Sequence, residues 1–136
     1  MKFDSWLLVF GDLHFRGDCF EEEKEQIIFF DWLKLNHADY ARLLIHPKIE
    51  GKRSFFMQMK DRKTGAMNKG VSDIVIPCSP AFICEIKRKN HIKSKWQDGQ
   101  KEFLSMAKNK GSFVCVALGA DAAKEAFNYY LESIKK

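Results

Sequence analysis

The chain alternates between short runs of apolar, β-branched residues and longer stretches in which apolar positions recur at helical spacing. Trp6 to Phe10 reads as a short strand closed by a turn at Gly11-Asp12. Asp18, with Glu21 three residues on, has a capping-box pattern and predicts a helix to about Lys34 or Leu35, stopped by Asn36. Leu43-Leu44-Ile45 is a strand candidate ended by Pro47. Asp73 to Pro77 and Phe82 to Lys87 read as two strands joined by a turn at Pro77, Ser79 and Pro80. Ser94 with Gln97 resembles a second capping box, predicting a helix through Phe103, Leu104 and Ala107 that stops at Gly111. Phe113 to Leu118 reads as a buried strand. Asp121 is placed to cap a last helix, Ala123 to Ile134, with Phe127, Tyr130, Leu131 and Ile134 as its apolar stripe.

The hairpin carries the chemistry. Side chains alternate along a strand, so Glu85 and Lys87 share one face while Cys84 and Ile86 take the other. A hairpin centred on Ser79 sets Asp73 opposite Glu85. Two carboxylates ~4 Å apart repel by about 4 kcal/mol at an effective dielectric of ~20. Such a pair shares a proton or holds a cation. Oxygen-only ligands favour Mg²⁺, which completes its shell with water and phosphate oxygens. Lys87 is placed to orient a water or to offset charge developing on a phosphate. An isolated acid-x-Lys is more often an exposed ion pair; here the preceding hairpin and flanking basic residues favour a phosphodiesterase centre.

On the first helix, Glu21, Glu22, Glu23 and Glu25 crowd the N-terminal turns. The helix dipole explains most of them. Glu22, Gln26, Phe29 and Leu33 follow one helical stripe, which would aim Glu22 at the hairpin. Glu23, Ile27 and Phe30 make an equally good stripe, so pattern alone leaves the choice open. Gln97 has a structural explanation as the reciprocal cap, whereas Gln100 is free to face the site. Trp96 reads as core packing in preference to a stacking surface.

At 136 residues the chain suits one domain, 1–136, with residues 1–20 as an N-terminal extension that can add a strand or an association surface. No apolar run is long enough to span a bilayer, and Trp6 to Phe10 lacks the length and cleavage pattern of a signal peptide, so a cytoplasmic protein is expected. Cys19, Cys78, Cys84 and Cys115 lack CxxC spacing and read as reduced core residues. His14, His37, His46 and His91 form no HxxxH pair. A net charge of +5 points weakly to an anionic partner. Two basic runs carry it: Lys48, Lys52, Arg53, Lys60, Arg62, Lys63 and Lys69 before the hairpin, and Arg88, Lys89, Lys93 and Lys95 after it. Lys48, Lys52, Arg53, Lys60, Lys63, Lys69, Arg88 and Lys89 are the candidate nucleic-acid contacts. There is no Gly-rich phosphate loop and no Gly-x-Ser-x-Gly elbow.

The ordered set of residues resembles the PD-(D/E)xK nucleases, and within them the virus-type replication-repair nuclease (VRR-NUC) domain. The matching pieces are Glu22 with Gln26, His46-Pro47, Glu50-Gly51-Lys52-Arg53, Lys69-Gly70-Val71-Ser72-Asp73, Glu85-Ile86-Lys87, and Gln100 with Gly111. Ser72 stands where that family usually has Pro, Lys48 where Asn is frequent, and Ala66 where Gly is common. The resemblance implies a restriction-endonuclease-like α/β fold, a mixed β-sheet flanked by α-helices. It implies Mg²⁺ or Mn²⁺ held by Asp73 and Glu85, with Ile86 also at the metal and Glu22 completing the cluster directly or through a water. Lys87 would activate or position the attacking water, and Gln100 would orient Lys87 or a phosphate. It further implies a homodimeric endonuclease selective for DNA structure, such as a four-way junction, serving replication, recombination or repair. The competing expectations are a nucleic-acid-binding module that keeps the fold without catalysis, and a structural protein without a nucleic-acid role.

Overall fold

The computed structural model describes residues 1–46 and 70–135. Its elements in chain order are β1 (Leu8–Phe10), α1 (Glu22–Asn36), α2 (Ala38–Leu43), β2 (Ile74–Ile76), β3 (Phe82–Lys87), a single 3₁₀ turn (His91–Lys93), α3 (Gln100–Asn109), β4 (Phe113–Leu118) and α4 (Ala120–Ile134). The strands form one mixed sheet in the order β1-β4-β3-β2. β2 and β3 pair antiparallel, as a tight hairpin must, while β3 with β4 and β4 with β1 are parallel.

β3 and β4 are central, and their near-continuous apolar runs follow from burial on both faces. Phe82, Cys84, Ile86, Cys115 and Ala117 face a layer built from α1, α2 and α4, with Phe29, Leu33, Ala41, Phe127 and Tyr130 in its core. Ile83, Val114, Val116 and Leu118 face Leu104 of α3, with Leu7 and Trp96 alongside. Leu8–Phe10 is an edge strand laid parallel on β4, so part of the N-terminal extension is built into the sheet. The four cysteines are free thiols. A hydrogen bond with Cys115, followed by burial, pushes the Cys84 thiol well up, which keeps it protonated and inert.

Several expectations need correction. α1 starts at Glu22 after Glu21, and no side chain caps it locally, so Asp18 is not its cap. Leu43 closes the short helix α2 instead of opening a strand; only Ile45 pairs, as an isolated bridge to Val75. A three-residue apolar run has no period to separate the two states. Ser94 does not start a helix: α3 begins at Gln100, after Gly99 at φ 87°. Asp121 lies inside the first turn of α4, whose own cap position is Gly119. The basic segment up to Lys69 lies outside the described residues.

Candidate active site

The hairpin register pairs Ile74 with Cys84 and Val75 with Ile83, so its continuation sets Asp73 opposite Glu85. The expected face assignment holds: Cys84 and Ile86 enter the apolar core, and Glu85 turns toward α3. Glu85 and Lys87 are each 1% exposed. Gln100, at the first turn of α3, reaches both. Its Nε2 donates to Glu85 Oε1 at 2.9 Å, and its Oε1 accepts from Lys87 Nζ at 3.0 Å. The same Oε1 accepts the Gln97 N–H at 2.7 Å, which fixes the amide orientation. Gln97 therefore serves Gln100, not a capping box. Lys87 Nζ also donates to the Lys95 carbonyl at 2.9 Å and stands 3.8 Å from Glu85 Oε1.

Asp73 is held from both sides. The Ile86 N–H donates to its Oδ2 at 3.0 Å, and His46 Nδ1–H donates to its carbonyl at 2.7 Å. A carbonyl only accepts, so the proton on that ring nitrogen is assigned. The N–H and C=O of one strand residue point to the same edge. The Ile86 carbonyl therefore faces the Asp73 side, while its side chain is fully buried in the core.

Burial first, and the neighbouring Asp73 carboxyl second, push the Glu85 carboxyl well above the usual range; Lys87 offsets this only in part. Its Oε2 is buried without a hydrogen-bond partner. An ionised carboxyl pair supplies no donor between its oxygens, so the pair stays under strain unless a proton or a cation enters. Gln26 Oε1 and Ser72 Oγ are also buried and unpartnered. Gln26 is one turn beyond Glu22, and Ser72 precedes Asp73. Buried unsatisfied groups are rare and mark waters, ions or function.

Of Glu22 and Glu23, Glu22 is the one tied to Ser94. Ser94 Oγ donates to Glu22 Oε2 at 2.7 Å and accepts the Arg88 N–H at 2.9 Å. Glu22 is thereby tied to the end of β3, while Glu23 is exposed. Among the described residues, no group of three or more His, Cys, Asp or Glu side chains is placed to hold an ion together. Asp73 and Glu85 are thus the close pair, and Glu22 stands outside it. The reading of the residues missed Ser94 as a tether and the Lys95 carbonyl as a lysine partner. The first was obscured by its capping pattern, and the second has no side-chain signal.

Gly70 shows why the chain enters the site through a glycine. Its φ is 79°, and a Cβ there would lie 2.2 Å from the Gly99 carbonyl carbon and oxygen. Only hydrogen fits between the approach to Asp73 and the start of α3.

The basic candidates divide. Arg88 turns its guanidinium onto the Cys19 and Phe20 carbonyls, each at 3.1 Å, a structural tie. Lys89 is exposed, its ammonium 4.4 Å from the Phe15 ring centroid. Lys48, Lys52, Arg53, Lys60, Lys63 and Lys69 lie outside the described residues. A cavity of about 580 Å³ opens at the C-terminal ends of β1 and β4, with Asp12, Asp18, Glu25, Asp121 and Glu125 against Lys89 alone. Asp73, Glu85, Lys87 and Gln100 do not line it, and its excess of carboxylates would repel phosphate.

No family model and no curated protein matches the chain by sequence. A solved structure described as a VRR_NUC domain protein does match in three dimensions, with a TM-score of 0.68 at 21% identity, over 87% of this chain and 92% of that one. The chain therefore has a VRR-NUC-like, restriction-endonuclease-like α/β fold. No helix among the described residues is long and apolar enough to cross a membrane.

Proposed function

We propose that this chain is a divalent-cation-dependent DNA endonuclease that hydrolyses phosphodiester bonds. The observation that carries the reading is the pairing of half-buried Asp73 with buried Glu85, whose second oxygen is unpartnered, next to a fully buried lysine. A structural ion pair would leave no such oxygen. The VRR-NUC-like fold agrees with a nuclease-type domain.

The donor set, two carboxylates and a carbonyl, suits Mg²⁺ or Mn²⁺. Asp73 and Glu85 would hold the ion, with the Ile86 carbonyl beside them and Glu22 acting through a water from its tether on Ser94. Such an ion supplies Lewis-acid polarisation of a phosphoryl oxygen and makes a bound water more acidic. Lys87 brings a desolvated positive charge to the same face, where it offsets charge that grows on the phosphate in the transition state. Gln100 sets the spacing between Lys87 and Glu85 by binding both. In the hydrolysis, water oxygen bonds to phosphorus, one ester P–O bond breaks, and the departing oxygen takes up a proton.

The basic residues from Lys48 to Lys69, which precede Asp73 in the chain, suit backbone contacts. Substrate choice would then rest on DNA shape, which favours branched or junction DNA, and a homodimer would bring two such sites to two strands. Labelled four-way, flap, nicked and linear DNA incubated with Mg²⁺, Mn²⁺ or EDTA test the reading. Cleavage that needs the ion and is lost in Asp73→Ala is expected. Binding without cleavage, unchanged in Asp73→Ala, would instead make the chain a binding module.

A further inference from the structure

Residues 1–20 lie outside the hairpin and its motifs, yet they are wired to the segment that holds Lys87. Trp96 Nε1–H donates to the Lys2 carbonyl at 2.9 Å. Phe3 meets Trp96 and His91 edge-on, with ring centroids 6.0 and 5.5 Å apart. His91 Nε2–H donates to the Leu13 carbonyl at 3.0 Å, and Asn90 Nδ2 to the Gly17 carbonyl at 3.3 Å. Arg88 closes the series on the Cys19 and Phe20 carbonyls. The stretch 88–96 is thus laced to the N-terminal segment along its length.

The same stretch meets Lys87 from the other side. Lys95 offers its carbonyl to the ammonium, and the Trp96 ring centroid lies 5.8 Å from Nζ. A buried ammonium with three protons to place is costly to move once two are committed to fixed acceptors. Its position is therefore set by Gln100 together with the Lys95–Trp96 segment, whose Trp96 side chain is held by Lys2 and Phe3.

We propose that residues 2–20 act as a positioning strap for Lys87, with Phe3 and Trp96 as the positioning residues that transmit its hold. The geometry stands by itself; the catalytic consequence rests on the nuclease reading. A strap of this kind changes turnover without changing affinity for DNA, because it places the reacting charge and not the phosphate anchors.

Two readouts test it. In metal-free protein labelled with ¹⁵N-lysine, the Lys87 ammonium gives a resonance protected from solvent exchange, assigned by its loss in Lys87→Gln. Phe3→Ala, which does not touch Lys87, is expected to shift that resonance and speed its exchange. Trp96→Phe, which keeps a ring but loses the bond to Lys2, is expected to do the same. Tyr130→Phe, a destabilising change in the opposite core, is expected to leave it in place. In single-turnover cleavage, Phe3→Ala and Trp96→Phe should slow the step by about 10- to 100-fold, the scale of a small misplacement of a reacting group. The Kd for the same DNA should change by no more than about 2-fold. An ammonium resonance unmoved by Phe3→Ala and Trp96→Phe overturns the strap, as does a rate loss matched by Tyr130→Phe. A wild-type chain that cuts no DNA overturns the nuclease reading alone, since the resonance still decides the strap.

Discussion

Glu25 and Glu85 are both buried glutamates, 7% and 1% exposed, on elements that pack together. Glu25 lies on α1 and accepts the Ala120 N–H at the start of α4. Gly119 caps nothing by side chain, and a Cβ there would come within 2.6 Å of Glu25 Oε2, so the glycine makes room for a cap supplied from another helix. The carboxylate meets a free backbone donor at the positive end of a helix dipole and needs nothing more. Glu85 has one oxygen on Gln100, another with no partner, and a second acid opposite. Equal burial therefore means different things. A carboxylate that has found its donors holds the fold; one left without them is, on the proposed reading, a ligand for the ion.

The sharpest way to break this contrast is to remove a group from each site. Asp73→Ala and Lys87→Ala should each lower single-turnover cleavage by about 10³-fold or more, the scale of a lost charge-stabilising group. The affinity of Lys87→Ala for DNA, read by fluorescence anisotropy, should be preserved; equal losses of affinity and rate would make Lys87 a phosphate anchor. Glu25→Ala should leave the rate per folded molecule unchanged.

Gln100→Ala comes next. It leaves Glu85 and Lys87 in place but removes the amide that spaces them. We expect about a 10- to 100-fold loss in activity or metal affinity, as for other outer-shell partners. The measurement is Mg²⁺ dependence of the cleavage rate.

Glu25→Ala should cost about 1–2 kcal/mol of stability, the size of a lost helix cap. Urea unfolding read by circular dichroism checks it. A midpoint equal to wild type would show that α4 does not need this cap.

The smallest effect is a pH slope. The folded-state Glu85 carboxyl is raised, so between the ordinary glutamate value near ~4.3 and its own higher value the folded chain holds more protons than the unfolded one. Stability contributed by this group is present below that window and is lost as pH rises through it. Metal-free protein should therefore unfold at a lower temperature as pH rises across the window. Glu85→Gln should flatten that slope relative to wild type, and Mg²⁺ should oppose it. A variant with the wild-type slope would place the titration elsewhere.

Much of this arrangement was legible in the residues. The turn at Pro77, Ser79 and Pro80 centred the hairpin, and period-two alternation then placed Asp73, Glu85 and Lys87 together. Gln100 was left free to face the site by giving Gln97 to a cap that does not form, and its role came from the family resemblance; the structure puts it on both Glu85 and Lys87. Glu22 and Glu23 headed equally good stripes, and only Ser94, distant in sequence, separates them. The expected caps failed for one physical reason. Asp18, Ser94 and Asp121 satisfy a local rule, whereas this fold caps the start of α4 with Glu25 from α1 and starts α3 from a left-handed Gly99. The N-terminal ties were invisible because their acceptors are main-chain carbonyls, which every residue carries.

On the proposed reading, a divalent ion held by Asp73 and Glu85 competes with the proton that the raised Glu85 carboxyl takes up. Calorimetric titration of metal-free protein with Mn²⁺, in buffers of different ionisation enthalpy, measures both the ion and the proton. The account predicts saturable binding that releases protons at pH values within the Glu85 titration window, and loss of that binding in Asp73→Ala. Binding that releases none, or that survives Asp73→Ala unchanged, would contradict it.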